Sequence, residues 1–159
     1  MSGIVPASPL NSNQAMLELT VLNAETFGKS FDEVVLEGLR SNIPPEILTR
    51  MKDLWETTKN IGDEVLEVGK IIVLKIIEFL KANPNLAASL ALGAAVYFLS
   101  NAIPILGPIL APLLAAITGI YALVTLATFD DVMKMAREFF AMLVSMFNAV
   151  ATRWSAAPL

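Results

Sequence analysis

Residues 86–103 read LAASLALGAAVYFLSNAI, and residues 109–129 read ILAPLLAAITGIYALVTLATF. Both lie within a stretch of 48 residues, 82–129, that has no acidic or basic side chain. At the chain's charged fraction of 16%, about eight charged residues would be expected there. One charge at a bilayer centre costs about 2.5–3.5 kcal/mol, so membrane residence explains the stretch. We expect bilayer embedding, permanent or conditional; the alternative is a hairpin buried in a large soluble core.

A turn divides this stretch at residues 104–108, Pro-Ile-Leu-Gly-Pro. Proline lacks a backbone donor and glycine allows a positive φ, so residues 83–129 are predicted to form a two-helix hairpin. Arms of 18 and 21 residues would reach about 27 and 31 Å, near the ~30 Å thickness of the hydrocarbon core. Asn85 is the predicted N-cap of the first arm. The predicted turn residues are Asn101, Pro104, Gly107 and Pro108.

Small residues recur every four positions along both predicted arms. In a membrane, such rows let two helices approach closely and gain packing contacts. We expect the two rows to pack against a helix, although alanine is also simply common in this stretch. The residues of the rows are Ala87, Ala91, Ala95, Ala111, Ala115 and Gly119.

The part of the chain before the hairpin is predicted to begin with an irregular arm, residues 1–11. Residues 12–43 are predicted to form two short amphipathic helices, 13–26 and 30–40. The spacing of Ser30 and Glu33 is that of a capping box, which predicts a helix start at Ser30.

Residues 44–82 are predicted to form one long amphipathic helix. Their apolar residues follow alternating steps of four and three, the heptad spacing of a helix that packs against a partner. Gly62 and Gly69 lie beside this seam, where they mark either a close crossing or a bend. The predicted seam residues are Ile47, Met51, Leu54, Ile61, Val65, Val68, Ile72 and Phe79.

Residues 130–154 are predicted to form an amphipathic helix after the hairpin, followed by a tail at residues 155–159. Asp130 and Asp131 suit a helix N-terminus, where negative charge meets the helix dipole. The 14 uncharged residues 139–152 are too few to span a bilayer comfortably. An interfacial or a buried bundle helix fits them better. The sequence thus predicts an all-α fold in which amphipathic helices flank a central apolar hairpin of the transmembrane type.

The composition excludes several function classes. The chain has 159 residues, 55% of them hydrophobic, a net charge of −4, and neither His nor Cys. The commonest metal ligands and the commonest acid–base group are therefore missing, and no basic stripe is present for nucleic acid. We find no phosphate-binding loop and no nucleophile motif. The sequence predicts no catalytic, cofactor-binding or metal-binding residue, no nucleic-acid partner and no small-molecule substrate, and hence no enzyme.

Basic residues lie on both sides of the hairpin and are missing from its turn: Lys70, Lys75 and Lys81 precede it, and Lys134 and Arg137 follow it. By the positive-inside tendency, both termini are expected in the cytoplasm. The first basic residue is Lys29, so we expect no cleavable export signal. The predicted location is a membrane, with a water-soluble state before insertion left open.

The order of charged amphipathic helices, an uncharged hairpin and a further helix over residues 45–154 resembles the pore-forming domains of colicin-type bacterial toxins. The resemblance lies in the order of elements, not in a residue motif. It implies a helical bundle that hides an apolar hairpin in water and inserts it into a target bilayer. The chain is also similar to thylakoid curvature proteins, whose inter-helix turn looks like Asn101-Ala-Ile-Pro104. The basic, aromatic end of their second membrane helix is missing here.

Three functions remain open on the sequence. In the working hypothesis, the hairpin inserts, copies associate through the small-residue rows, and the membrane is permeabilised. In the second, the protein is a scaffold that shapes a membrane or docks partner chains through the heptad seam. In the third, it is an accessory two-span subunit of a secretion, energy-converting or virion-membrane assembly. All three predict a lipid bilayer as partner, together with further copies of the chain or membrane partner chains.

Overall fold

The computed structural model describes residues 11–61, 64–121 and 126–151, with residues 121 and 126–129 described for their backbone only. The described part is mostly helical, which confirms the predicted all-α class. The predicted N-terminal arm, except Asn11, and the predicted tail lie outside the described residues. In chain order, the elements are α1 (Ser12–Glu25), α2 (Phe31–Arg40), α3 (Pro45–Trp55), β1 (Lys59–Ile61), β2 (Glu64–Leu66), α4 (Val68–Ala82), α5 (Ala88–Ala102), a 3₁₀ turn (Pro104–Leu106), α6 (Gly107–Tyr121), α7 (Leu126–Phe139) and α8 (Ala141–Ala149).

The two predicted N-terminal helices are confirmed as α1 and α2. Asn11 caps α1, since its side-chain oxygen accepts from the Gln14 N–H at 2.8 Å. Ser30 is the N-cap of α2, as predicted, but its side chain makes no capping hydrogen bond. The first turn of α2 is instead favoured by Asp32 and Glu33, whose negative charge complements the helix dipole.

The single long helix predicted over residues 44–82 is wrong, because a β-hairpin interrupts it. Helix α3 ends at Trp55, and β1 and β2 pair antiparallel before α4 begins at Val68. In the ladder Lys59 lies opposite Leu66, and Ile61 lies opposite Glu64. The chain reverses direction here, so α3 and α4 pack against each other instead of continuing in line.

The predicted seam is therefore divided among four elements. Seven of its eight residues are buried, but Val65 is 58% exposed. Successive strand residues point to opposite faces, so Ile61 and Leu66 lie on the core face while Val65 lies opposite Asn60 on the outer face. The buried seam residues are Ile47, Met51 and Leu54 on α3, Ile61 on β1, and Val68, Ile72 and Phe79 on α4.

Helices α4 and α5 form the middle of the core. Helix α4 packs against α3 and α5, and α5 packs against α4, α6 and α7. An aromatic cluster joins α4 to the C-terminal helices: the Phe79 ring lies 5.2 Å from that of Phe139 and 5.3 Å from that of Phe140. Such ring pairs add stabilisation beyond the area that they bury.

The single helix predicted over residues 130–154 is also wrong. Helix α7 begins at Leu126, so Asp130 and Asp131 lie inside it and not at its N-terminus, and the described part is divided into α7 and α8. The break is at Phe140, whose backbone (φ −96°, ψ 8°) leaves the helical region. The Phe140 ring is buried against Phe79, so the helix breaks at a residue whose side chain lies in the core. Helix α8 then packs against α1.

A network of hydrogen bonds links the end of α1 to the junction of β2 and α4. The Asn23 side chain accepts from the Glu67 N–H at 2.8 Å and donates to the Val65 carbonyl at 3.3 Å. Thr26 is only 2% exposed, and its hydroxyl lies 2.6 Å from the Asn23 carbonyl oxygen and 3.3 Å from a Glu67 carboxylate oxygen. Glu67 also pairs with Lys70 at 3.2 Å.

Replacing Asn23 with alanine is expected to destabilise the fold by about 1–2 kcal/mol, because the partly buried Glu67 N–H and the exposed Val65 carbonyl both lose their partner. Urea unfolding followed by circular dichroism measures the effect. Thr20→Ala is the matched control, since Thr20 is exposed and bonds only within its own helix, to the Met16 carbonyl. An equal loss in both variants would contradict a role for Asn23 in holding α1.

Candidate functional site

The hairpin that the sequence predicted is the helix pair α5 and α6. The chain bends by 115° between them, at the 3₁₀ turn Pro104–Leu106. The predicted turn position is thus confirmed. Asn101 stabilises the approach to the turn, since its side-chain N–H donates to the Tyr97 carbonyl at 2.8 Å.

Two local predictions for the hairpin are wrong. Gly107 does not take a positive φ; with φ −48° it is the first residue of α6, and a Cβ there would meet only the Ser100 carbonyl oxygen at 3.7 Å. Pro104 and the 3₁₀ turn make the bend instead. Asn85 is not the N-cap of α5, because the helix begins at Ala88 and Ala87 occupies the cap position without a side-chain hydrogen bond.

The two arms differ in how deeply they lie in the protein. Helix α5 is enclosed by α4, α6 and α7, and eight of its residues are buried: Ala91, Leu92, Gly93, Ala94, Ala95, Val96, Phe98 and Leu99. Helix α6 lies at the surface and packs only one side inward, against α3 and α5. Its buried residues within the described part are Leu110, Leu113 and Ile117.

The structure does not bring the two predicted small-residue rows together. Ala91 and Ala95 are buried within α5, whereas Ala87 is exposed at its start. Ala111, Ala115 and Gly119 all lie on the exposed side of α6. In this conformation the row on α6 faces outward.

Apolar packing is the main attachment of the hairpin to the rest of the protein. No salt bridge can form from residues 82–129, since the segment has no acidic or basic side chain. One polar link is the Asn148 side chain of α8, which donates to the Ala102 carbonyl at 2.9 Å. Sequence reasoning missed this link, and also the network at Asn23, because each joins residues more than 40 positions apart.

Length and composition leave one membrane-crossing candidate. Within the residues that the structure describes, none of the helices alone is both long and apolar enough for a bilayer span, whereas the bent pair Ala88–Ala102 and Pro104–Ile120 meets that test jointly.

Metal-ligand clusters and surface grooves were the other candidate sites. In the described ranges, no group of three or more acidic residues is placed to hold a metal ion. A groove of about 640 Å³ between the end of α1, α2 and α4 has an apolar floor that includes Val34 and Ile77. Both carboxylates and basic groups line it, so the groove does not present a single charge sign. No family model matches the chain, and no similar chain was found among curated proteins or solved structures.

Proposed function

We propose that this protein is a non-enzymatic, membrane-inserting helical protein whose α5–α6 hairpin leaves the bundle, enters a lipid bilayer and permeabilises it. The observation that carries the proposal is the uncharged segment 82–129, whose residues 88–120 form a bent helix pair in which α5 is enclosed by other helices. A chain that only needed a soluble core would have no reason to exclude charge from the exposed side of α6 as well.

The energetics of leaving the bundle support this function. The enclosed face of the hairpin makes apolar contacts, and acyl chains can replace such contacts at little cost because lipid is as apolar as leucine. No ion pair has to break, since residues 82–129 have no acidic or basic side chain. In water the same apolar packing holds the hairpin in place. The protein would therefore favour the bundle in water and the inserted state in lipid.

The enclosure of α5 also bears on the mode of insertion. A subunit that always spans the membrane does not need to shield an apolar helix from water, whereas a protein that is first soluble does. This arrangement is the one that a resemblance to colicin-type pore-forming domains implies. We therefore propose conditional insertion, with further copies of the chain joining in the membrane.

A membrane-shaping scaffold is the second candidate, and the 115° bend favours it. A bent helix pair can enter one leaflet as a wedge without crossing the bilayer. Such a wedge would spread one leaflet and curve the membrane, but it would leave the barrier to solutes intact.

Release of a fluorescent dye from phosphatidylcholine vesicles tests the two candidates. Protein added without detergent is expected to release the dye if the hairpin permeabilises the bilayer. Vesicles that bind protein and form tubules but retain their dye would support the scaffold and contradict the pore. Protein that neither binds nor releases would contradict both.

A reversible lock provides the matched control. Because the Asn148 side chain reaches the Ala102 backbone, cysteines at these two positions lie within reach of a short bis-methanethiosulfonate crosslinker, in a chain that has no cysteine of its own. Crosslinking is expected to reduce dye release at least tenfold, and reduction, which cleaves the crosslink, is expected to restore it. Equal release from the crosslinked and reduced forms would contradict the departure of the hairpin from α8.

A further inference from the structure

Helix α6 has two faces of different character. One face is buried, through Leu110, Leu113 and Ile117. The opposite face is exposed from Pro108 to Ile120, over 13 residues or about 20 Å. Its residues are Pro108, Ala111, Pro112, Ala115, Thr118, Gly119 and Ile120, none of them charged.

Other exposed apolar side chains lie among charges or on short faces. Leu36 and Leu39 of α2 alternate with Glu37 and Arg40, so a bilayer covering them would have to cover an ion pair. The outward face of α8 is uncharged, but that helix has only nine residues. Among the described helices, α6 has the long exposed face that can contact hydrocarbon without burying a charged side chain.

Charged side chains of both signs lie at the edge of this face, where they could contact lipid headgroups. A groove of about 400 Å³ lies at the surface where α6 meets α3, lined by Glu46 and Arg50 of α3 and by Ala115 and Gly119 of α6. Interfacial helices place an apolar face among acyl chains and charged side chains at the level of the headgroups. Zwitterionic phosphocholine can pair with both charge signs at this rim.

We propose that the exposed face of α6 is the surface through which the protein first docks on a bilayer, before α5 leaves the bundle. This inference rests on the proposed function and adds an order of events to it. The α6 face is already open to lipid, whereas α5 reaches lipid only after α4 or α7 moves aside. Docking therefore precedes permeabilisation and requires no change in the bundle.

Gly119→Glu tests the docking face without disturbing the fold. A Cβ at Gly119 meets nothing within 4 Å, so the variant has room for its side chain. Flotation with phosphatidylcholine vesicles is expected to show at least tenfold weaker binding than the wild type, because a charge would enter the apolar face. Ala111→Glu, two turns away on the same face, is expected to do the same. Gly119→Ala is the matched control and is expected to bind like the wild type.

A fluorescent label identifies the element that meets the lipid. An environment-sensitive dye on Ala115→Cys is expected to brighten on vesicle binding, whereas the same dye on Ala24→Cys, exposed on α1, is expected to stay dim. If Gly119→Glu binds like the wild type, or only the α1 label brightens, the α6 face is not the docking surface, although the proposed function survives. A wild-type dimer in lipid-free solution that Gly119→Glu dissociates would assign the face to a second copy instead. Wild-type protein that fails to bind vesicles would overturn both the inference and the proposed function.

Discussion

Gly69→Ala is expected to lower the free energy of unfolding by about 3 kcal/mol, at the upper end of the cost of overpacking a core. A Cβ on Gly69 would overlap the Leu54 carbonyl oxygen and would lie 2.7 Å from the Leu54 carbonyl carbon. Both are backbone atoms, so no side chain can swing away to make room. The Gly69 N–H also donates to the Thr57 carbonyl at 2.9 Å, which fixes the crossing of α3 and α4. Urea unfolding of the variant measures the loss.

Two other helical glycines provide controls for the same substitution. At Gly38 a Cβ would meet the Leu48 methyl group at 2.5 Å, and this flexible side chain can turn away, so a smaller loss is expected. At Gly119 nothing lies within 4 Å, and alanine is expected to stabilise the helix by up to about 1 kcal/mol. The expected order of stability is therefore Gly119→Ala, then Gly38→Ala, then Gly69→Ala. Equal stability of Gly69→Ala and the wild type would contradict the close crossing.

The sequence predicted the hairpin well because its signals are local. Fifteen-residue helices α5 and α6 lie within the two predicted arms or within two residues of them, and the prolines at residues 104 and 108 lie at the break. The predicted end of the second arm at Phe129 is wrong, because α7 already begins at Leu126. The absence of charge and the position of proline are both visible in the sequence without knowledge of the fold. Helices α1 and α2 were predicted for a similar reason, since Gly28, with φ +82°, lies between them.

The sequence analysis missed the β-hairpin because its apolar residues have the seven-residue spacing of a heptad repeat. Leu54, Ile61 and Val68 are seven positions apart, as in a coiled coil, but they lie on α3, β1 and α4. A competing signal was present: Gly62-Asp63 between Ile61 and a second apolar run is typical of a two-residue hairpin loop. The sequence is compatible with either a close crossing or a bend at Gly69, and the close approach of the Leu54 backbone assigns it to the crossing.

The direction in which the small-residue rows face could not be predicted. The four-residue spacing shows that Ala111, Ala115 and Gly119 share one side of a helix, but it does not show which side the protein covers. That choice depends on α3 and α5, which pack on the leucine side of α6. We therefore expect an acidic substitution in the buried row on α5 to destabilise the fold, and the same substitution in the exposed row on α6 to leave the fold stable.

Ala91→Asp is expected to destabilise the bundle by about 3–5 kcal/mol, because it leaves an unpaired charge in the core. Ala91 is 1% exposed on α5, and the surrounding segment has no basic side chain that could pair with a carboxylate. A loss of this size is a large share of the 5–15 kcal/mol that stabilises a typical domain. Thermal unfolding followed by circular dichroism is expected to show a clear drop in the midpoint temperature.

Ala87→Asp is the matched control for this substitution, four residues earlier on the same side of α5. Ala87 is exposed and occupies the N-cap position, where an aspartate accepts hydrogen bonds from the first helical N–H groups. The control is expected to gain about 0.5–1 kcal/mol of stability, opposite in sign to Ala91→Asp. If both variants unfold at the wild-type temperature, α5 is not enclosed, and the protein has nothing to release before it inserts. If they separate as expected, loss of dye release in Ala91→Asp reports unfolding, and only charges on the exposed side of α6 test the membrane itself.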